Sequence, residues 1–397
     1  MITQKKWQPL AILVALLALG ALSLALPHPA LAAQVKAQQA RDVVQECKFS
    51  VTVNKDTSFQ LRNQALHKIW NGGEKGMFTV TLPGDQKAQG VMLAFNTYVP
   101  QLIVESMDGE KPEVIAEYSL PYYTSYIPFS KPAHVFRVRP GKENAVAIRI
   151  GRMNVLTEGA LPAWVQRWET LPDGQADILL MVTHPDDDIL WFGGLLPTYA
   201  GEKDLKVLVG YISTENRWDR RNELLDALWH CGVKYYPYMP EGKVREKKEV
   251  DYIVTCIRRY RPPVVVTQDI DGEYGHKAHI KLVANVIKAV KTECLKETVA
   301  RKSAKKYGVY QPQKLYVHMY KENQSIFDWS VPLKAFNGKT GLTIAKEAFK
   351  MHASQQNGRH AVLDHGKYDC RKLGLYWSRV GKDNIKRPDL MQHVINE

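Results

Sequence analysis

Two short stretches hold side chains that could do chemistry. The first, "MVTHPDDDILWFGG" at 181–194, sets His184 and the consecutive Asp186, Asp187 and Asp188 just after an apolar run. The second, "DIDGEYGHKAH" at 269–279, carries His276 and His279 three apart at the start of a helical pattern, and so near one face. Two histidines and one carboxylate suit a catalytic zinc ion and leave a coordination position open for water. With His184 and Asp187, His279 completes such a set. Asp186 stands beside a ligand but points elsewhere, as a base for that water should. Taken singly, a run of aspartates reads as a solvated turn or helix cap, and an HxxH pair as helix surface. The chemistry therefore depends on elements that bring both stretches to one place.

The elements read from the sequence can do this. "DILLMVT" (177–183), "KVLVGYI" (206–212), "VKYYPYM" (233–239), "VVVTQDI" (264–270) and "KLYVHMY" (314–320) read as strands. They alternate with helical stretches: "WDRRNELLDALWHCG", stopped by Gly232; "HKAHIKLVANVIKAV", with Ile280, Val283, Val286, Ile287 and Val290 on one face; and "TIAKEAFKMHASQQ" at 343–356. The alternation predicts an α/β fold, a Rossmann-like, mostly parallel sheet with flanking helices. Both motifs follow strands, so both are expected at the carboxyl edge of that sheet, where such folds place their ligands. No GxGxxG follows the first strand, which removes support for dinucleotide binding.

"THPDDD" followed downstream by "GEYGHKAH" resembles the PIG-L/LmbE-like family of zinc-dependent de-N-acetylases over about residues 177–320. The resemblance implies a Rossmann-like N-deacetylase with zinc held by His184, Asp187 and His279. It implies Asp186 as general base and His276, protonated, as the residue that assists the transition state. "RRNE" matches a family element whose arginine faces substrate, here Arg220, with Glu223 following; a surface ion pair between the two is the competing reading. Thr183 and Asp188 depart from the family's usual Ala and Glu. His352, in "KMHASQQ", matches a C-terminal H-x-SQ element, with capping of helix carbonyls as the alternative.

Ahead of this part, residues 33–171 alternate in β fashion between turn signals such as "NGGEKG" and "LPGDQK", predicting a β-sandwich. It resembles a discoidin-like module and is expected to bind glycan. The tyrosines of "YSLPYYTSY" (118–126) could stack on sugar rings or pack between the two domains. Residues 172–397 then form the Rossmann-like domain and a C-terminal extension.

The first 32 residues read as a secretory signal: "KKW", an apolar stretch over 10–26, then Ala30 and Ala32 in the arrangement of a cleavage site. An uncleaved anchor is the rival reading, and no later stretch is apolar enough to span a bilayer. The 397-residue chain carries a net charge of +13; losing the leader removes Lys5 and Lys6 and leaves +11. Such a charge favours an anionic partner such as a wall polymer. Zinc-finger spacings and RNA-binding signatures are absent, so nucleic acid is not expected. Five scattered cysteines form no CxxC pair and are expected to be buried thiols. Export, charge and chemistry together point to an N-acetylated glycan of the cell surface or wall. An amidase for a non-sugar or small sugar-conjugate amide, and a non-catalytic wall-glycan-binding protein, are the alternatives.

Overall fold

In the computed structural model the described residues are 38–63, 68–142, 146–214 and 216–395. The expected leader at 1–32 lies outside them. Among the described residues no helix is long and apolar enough to cross a membrane.

The site is built on a six-stranded sheet. Its strands are β10 (Ile178–Val182), β11 (Val207–Tyr211), β12 (Val264–Thr267), β13 (Lys314–His318), β14 (Gln324–Ile326) and β15 (Lys372–Ser378), in the order β11-β10-β12-β13-β15-β14. The first four are parallel, and β15 and β14 add an antiparallel edge. β10 is buried along its whole length because both faces are covered. Ile178, Leu180 and Val182 join the core beneath α1 (Asp187–Leu190), α2 (Trp218–His230) and α7 (Gly341–Met351). Leu179 and Met181 join the opposite core, beneath α3 (Glu249–Tyr260) and α5 (Lys277–Lys291). The remaining helices are short: α4 (Gly272–Gly275) and α6 (Arg301–Tyr307).

The all-β part supplies β1 (Lys48–Val51), β2 (Trp70–Gly73), β3 (Phe78–Thr81), β4 (Ala88–Phe95), β5 (Leu102–Ser106), β6 (Glu113–Tyr118), β7 (Thr124–Ala133), β8 (Val135–Pro140) and β9 (Ile148–Thr157). Two antiparallel sheets, β1-β3-β8-β5-β6 and β2-β9-β4-β7, close on a core that includes Trp70, Phe78, Leu93, Phe95 and Phe136. The ring of Trp70 meets Phe78 edge-on at 5.6 Å.

Several expectations are corrected. Residues 233–239 form no strand, only single bridges at Tyr235 and Tyr238. Pro237 has no N–H to give a ladder, and Tyr236 and Tyr238 turn to stack on Tyr122 and Tyr252. Ile280 is 40% exposed, because His279 takes the inward position on the first turn of α5. α7 stops at Met351; His352, at φ −76° and ψ 64°, leaves the helix. The turn expected at "NGGEKG" starts later, because its first residues close β2. The tyrosines of 118–126 do not face solvent. Tyr122 stacks on Tyr236 at 4.3 Å, and Tyr123 lies under the Arg221 guanidinium at 3.5 Å, so they pack against the α/β part. All five cysteines are buried free thiols.

The sandwich also bonds directly to α2. Thr124 Oγ1 donates to Asn222 Oδ1 at 2.7 Å, and Arg152 makes a two-pronged pair with Asp226 at 2.7 Å on each prong. Gly151 of β9 lies so close to Trp218 that a Cβ there would stand 2.0 Å from its ring.

Candidate metal centre and active site

Parallel pairing puts Met181 opposite Thr267, so β10 and β12 end side by side. Gln268 joins the two ends: its Oε1 accepts from Thr183 N at 2.9 Å and Thr183 Oγ1 at 2.7 Å. Thr183, where the family has Ala, thus bonds the neighbouring strand end. From this edge the chain turns at His184 to Asp186 and enters α1, while α4 and α5 follow β12. The expected convergence occurs: His184, Asp187 and His279 meet.

Their separations form a nearly equilateral triangle. His184 Nδ1 lies 3.3 Å from Asp187 Oδ2, His279 Nε2 lies 3.4 Å from the same oxygen, and the two nitrogens are 3.3 Å apart. Ligands at about 2.0–2.2 Å from a tetrahedral zinc ion stand about 3.3–3.6 Å from one another, so the triangle fits one. The donor set agrees. His279 Nδ1 is turned to Glu273 Oε2 at 2.7 Å, which leaves its Nε2 for the triangle. Asp187 is held from outside by His184 N at 2.7 Å and Trp191 Nε1 at 2.9 Å, both donating to it. A cation or a proton must occupy the point where these lone pairs meet.

Electrostatics follow from this packing. Burial by itself would raise Asp187, but the His279 and His184 charges and the hydrogen bonds from His184 hold it well below the usual carboxylate range. Burial opposes a charge on His279, yet Asp187 and Glu273 overcome it and raise this histidine. For His276 burial comes first and the neighbouring His279 and His184 add to it, so its pKa is lowered. A neutral ring still donates one N–H. His276 stands within reach of the same point: one nitrogen from each of His184, His276 and His279 lies within 4.8 Å of the others. Its Nδ1 is buried without a partner among the described residues.

Asp186 takes a backbone conformation with φ 104° at the entrance to α1, a region uncommon for a side-chain-bearing residue. Arg220 holds it there: Nη2 donates to Pro185 O at 2.6 Å and to Asp186 Oδ1 at 3.2 Å. The arginine is buried, so the surface ion pair with Glu223 does not form. Glu223 instead accepts from Ser354 N at 2.9 Å and Ser354 Oγ at 2.6 Å. Burial pushes Asp188 up to about 7.

Sequence reasoning missed the layer behind the candidate ligands. Glu273 binds His279 through one oxygen, and its other lies 3.2 Å from His318 Nδ1; all three side chains are at most 1% exposed. Carboxylates behind ligating histidines fix the tautomer and the ring orientation. The pairing cannot be read from spacing, because Glu273 reaches His279 only by adopting φ 57°. His352 is buried at the end of α7, both ring nitrogens without partners among the described residues. Burial, and then the Arg220 charge, pushes it down to about 3. It caps no carbonyl with its ring, and the H-x-SQ pattern was the signal for it. Around the mouth, Trp191 approaches Tyr274 at 6.0 Å and Tyr368 at 5.9 Å, and Tyr274 is 45% exposed.

No protein-family model matches the chain. A curated relative, 1D-myo-inositol 2-acetamido-2-deoxy-alpha-D-glucopyranoside deacetylase of Rhodococcus opacus (strain B4), is 29% identical over 159 residues, covering 29% of this chain and 54% of the relative. The chain therefore spans about half the length of that relative. Among solved structures, N,N'-diacetylchitobiose deacetylase from Pyrococcus horikoshii aligns with a TM-score of 0.37 and 15% identity, over 46% of this chain and 72% of the other. The family 32 CBM from C. perfringens NanJ aligns with a TM-score of 0.26 and 13% identity, over 30% of this chain and 97% of the other. In its paired motifs and in their convergence on one triangle the α/β part of this chain resembles the PIG-L/LmbE-like family, and the curated relative it matches is a deacetylase.

Proposed function

We propose that the protein is an exported, zinc-dependent N-deacetylase that removes acetyl groups from N-acetylglucosamine-type residues of an extracytoplasmic glycan. The observation that carries this reading is the triangle of His184, Asp187 and His279 with Asp186 at its side. His184, Asp187 and His279 would hold the ion. Bound there, zinc supplies Lewis acidity that lowers the pKa of water toward ~7.

The residues divide the remaining work. Asp186, oriented by Arg220, takes the proton from the water that attacks the acetamide carbon. His276 donates its N–H to the carbonyl oxygen as charge develops there. Asp186 can return its proton to the departing amine, so that acetate and a free amino sugar leave. Glu273 keeps His279 in one tautomer, and Tyr274 offers an exposed ring beside His276 for the sugar face. The leader, the basic charge and this amide chemistry support a wall or surface polymer. The inositol-linked sugar on which the Rhodococcus relative acts supports a second reading, a small sugar conjugate.

Acetate release tests the proposal, with zinc-loaded protein, a panel of N-acetylated glycans and small conjugates, and Asp186→Ala as control. Acetate should appear from at least one sugar and fall ~10²-fold or more in the variant, the scale of general base catalysis. Equal release by the zinc-loaded variant would remove Asp186 from its role. No release from any sugar would leave the non-sugar amidase and the binding-protein readings.

A further inference from the structure

A groove of about 1150 Å³ lies between the last turn of α2, α7 and the middle of β9. Asp226 and Trp229 line it and lie six and nine residues beyond Arg220, about 9–14 Å along the helix axis. Its volume exceeds the roughly 300–1,000 Å³ of ordinary small-molecule pockets, which suits an extended ligand. We infer that this groove is a second, non-catalytic binding site for a neutral oligosaccharide chain.

Three features select that ligand. The first is aromatic. Trp164 is 45% exposed at the groove, and Trp229 and Phe336 are half-buried beside it, over an apolar floor that includes Met92 and Ile344. Flat apolar rings of this kind match the C–H faces of sugar rings.

The second is a donor and an acceptor left over. Arg152 and Asn154 are two apart on β9 and therefore share a face. Arg152 gives both terminal nitrogens to Asp226, and Asn154 gives its amide to Asp42 Oδ2 at 2.7 Å. Arg152 Nε and Asn154 Oδ1 remain buried without a partner among the described residues, and Asn154 is 7% exposed. Such atoms carry a cost until a ligand pairs them. A hydroxyl group both donates and accepts, so adjacent sugar hydroxyls complement this pair.

The third is charge. The chain is strongly basic, yet the charged side chains at the groove are paired within the protein: Arg152 with Asp226, Arg41 with Glu46, Lys339 with Glu347. Asp42 also accepts from Val44 N and Val155 N. Among the described residues that line the groove an anionic polymer would find no unpaired cation, and a neutral chain needs none.

This inference deepens the proposed glycan reading, but its main test reads binding rather than turnover. Calorimetry on the full chain would compare a hexasaccharide of N-acetylglucosamine, a hexasaccharide of glucose and the N-acetylglucosamine monomer, with the parent and with Trp164→Ala/Phe336→Ala. At least one hexasaccharide should bind the parent, at least tenfold more weakly the double variant, and indifferently to added salt. Deacetylation of the monomer should be unchanged by the double variant. Equal binding by parent and variant, or binding of neither hexasaccharide, would overturn the site. Binding lost on adding salt would overturn the neutral ligand. Binding that depends on the two aromatics without acetate release from any sugar would uphold the groove while removing the deacetylase.

Discussion

Glu273 gives the sharpest test of the metal centre. It touches no other corner of the triangle, so its effect must travel through His279. Glu273→Gln keeps the side-chain volume, leaves one oxygen to accept from His279 Nδ1 and lets the amide NH₂ turn toward His318. What changes is charge, together with the Oε1 acceptor that Asp269 N uses at 2.9 Å. A hydrogen bond to a charged group contributes about 1.5–3 kcal/mol and a neutral one about 0.5–1.5. The difference, about 1–1.5 kcal/mol, corresponds to zinc binding about 5–15-fold weaker. Glu273→Ala removes the whole bond and should weaken binding ~10–100-fold. Glu273→Gly should do the same to zinc but cost less folding stability than Ala, because φ 57° with ψ −71° is a strained γ-turn conformation that glycine adopts freely. Zinc affinity by chelator competition and thermal unfolding of the metal-free proteins separate the two effects. A Glu273→Gln protein that is folded and binds zinc within twofold of the parent would refute the claim that this carboxylate sets the ligand.

Other expectations test further parts of the structure. His279→Ala should lose zinc from the purified protein, whereas Asp186→Ala should retain it, as metal analysis would show. Chelation should abolish acetate release and added zinc should restore it; activity surviving in metal-free protein would exclude the ion from the reaction. Lys314 is buried with Asp383 at 2.7 Å, so Lys314→Ala should cost about 3–5 kcal/mol by stranding that carboxylate, and Lys314→Met alone should not stabilise the fold. In the sandwich, burial pushes Glu105 up, but hydrogen bonds from Arg137 and Arg139 outweigh it and lower its pKa from 4.5. Its contribution is then full above pH ~4.5 and is lost as pH falls through the lowered value. Glu105→Gln should therefore melt lower at pH 7 and lose less between pH 5 and pH ~3; parallel acid limbs for both proteins would contradict this.

The three corners of the triangle were legible because they lie next to the strands that place them. A fully apolar run such as "DILLMVT" announces a strand covered on both faces, and whatever follows it falls at the sheet edge. His276 and His279 were legible for the same reason. The layer behind them was not: Glu273 serves His279 through a backbone turn that the local pattern does not favour, and Gln268 matters because two strand ends pair. Arg220 could be singled out from its motif, but its contacts with Pro185 and Asp186 span more than thirty residues and could not be read from the sequence. The strand expected at 233–239 failed where Pro237 broke the ladder and stacking took over from hydrogen bonding. In the sandwich, β7 was hidden under tyrosines whose exposure could not be judged without the α/β surface that covers them.

The bonds between α2 and the sandwich change what the front of the chain is for. Arg221, Asn222 and Asp226 reach Tyr123, Thr124 and Arg152 from the helix that also carries Arg220 to Asp186. The sandwich then acts as a splint, bracing the helix whose Arg220 holds Asp186, rather than as cargo on a tether. A protein cut back to residue 172 would expose Asn222 and strand Asp226, and its α2 would be free to shift. Exchange of the sandwich for an unrelated β-sandwich would carry the same penalty. Recombination in this lineage would have to move the two parts, and the seam between them, together.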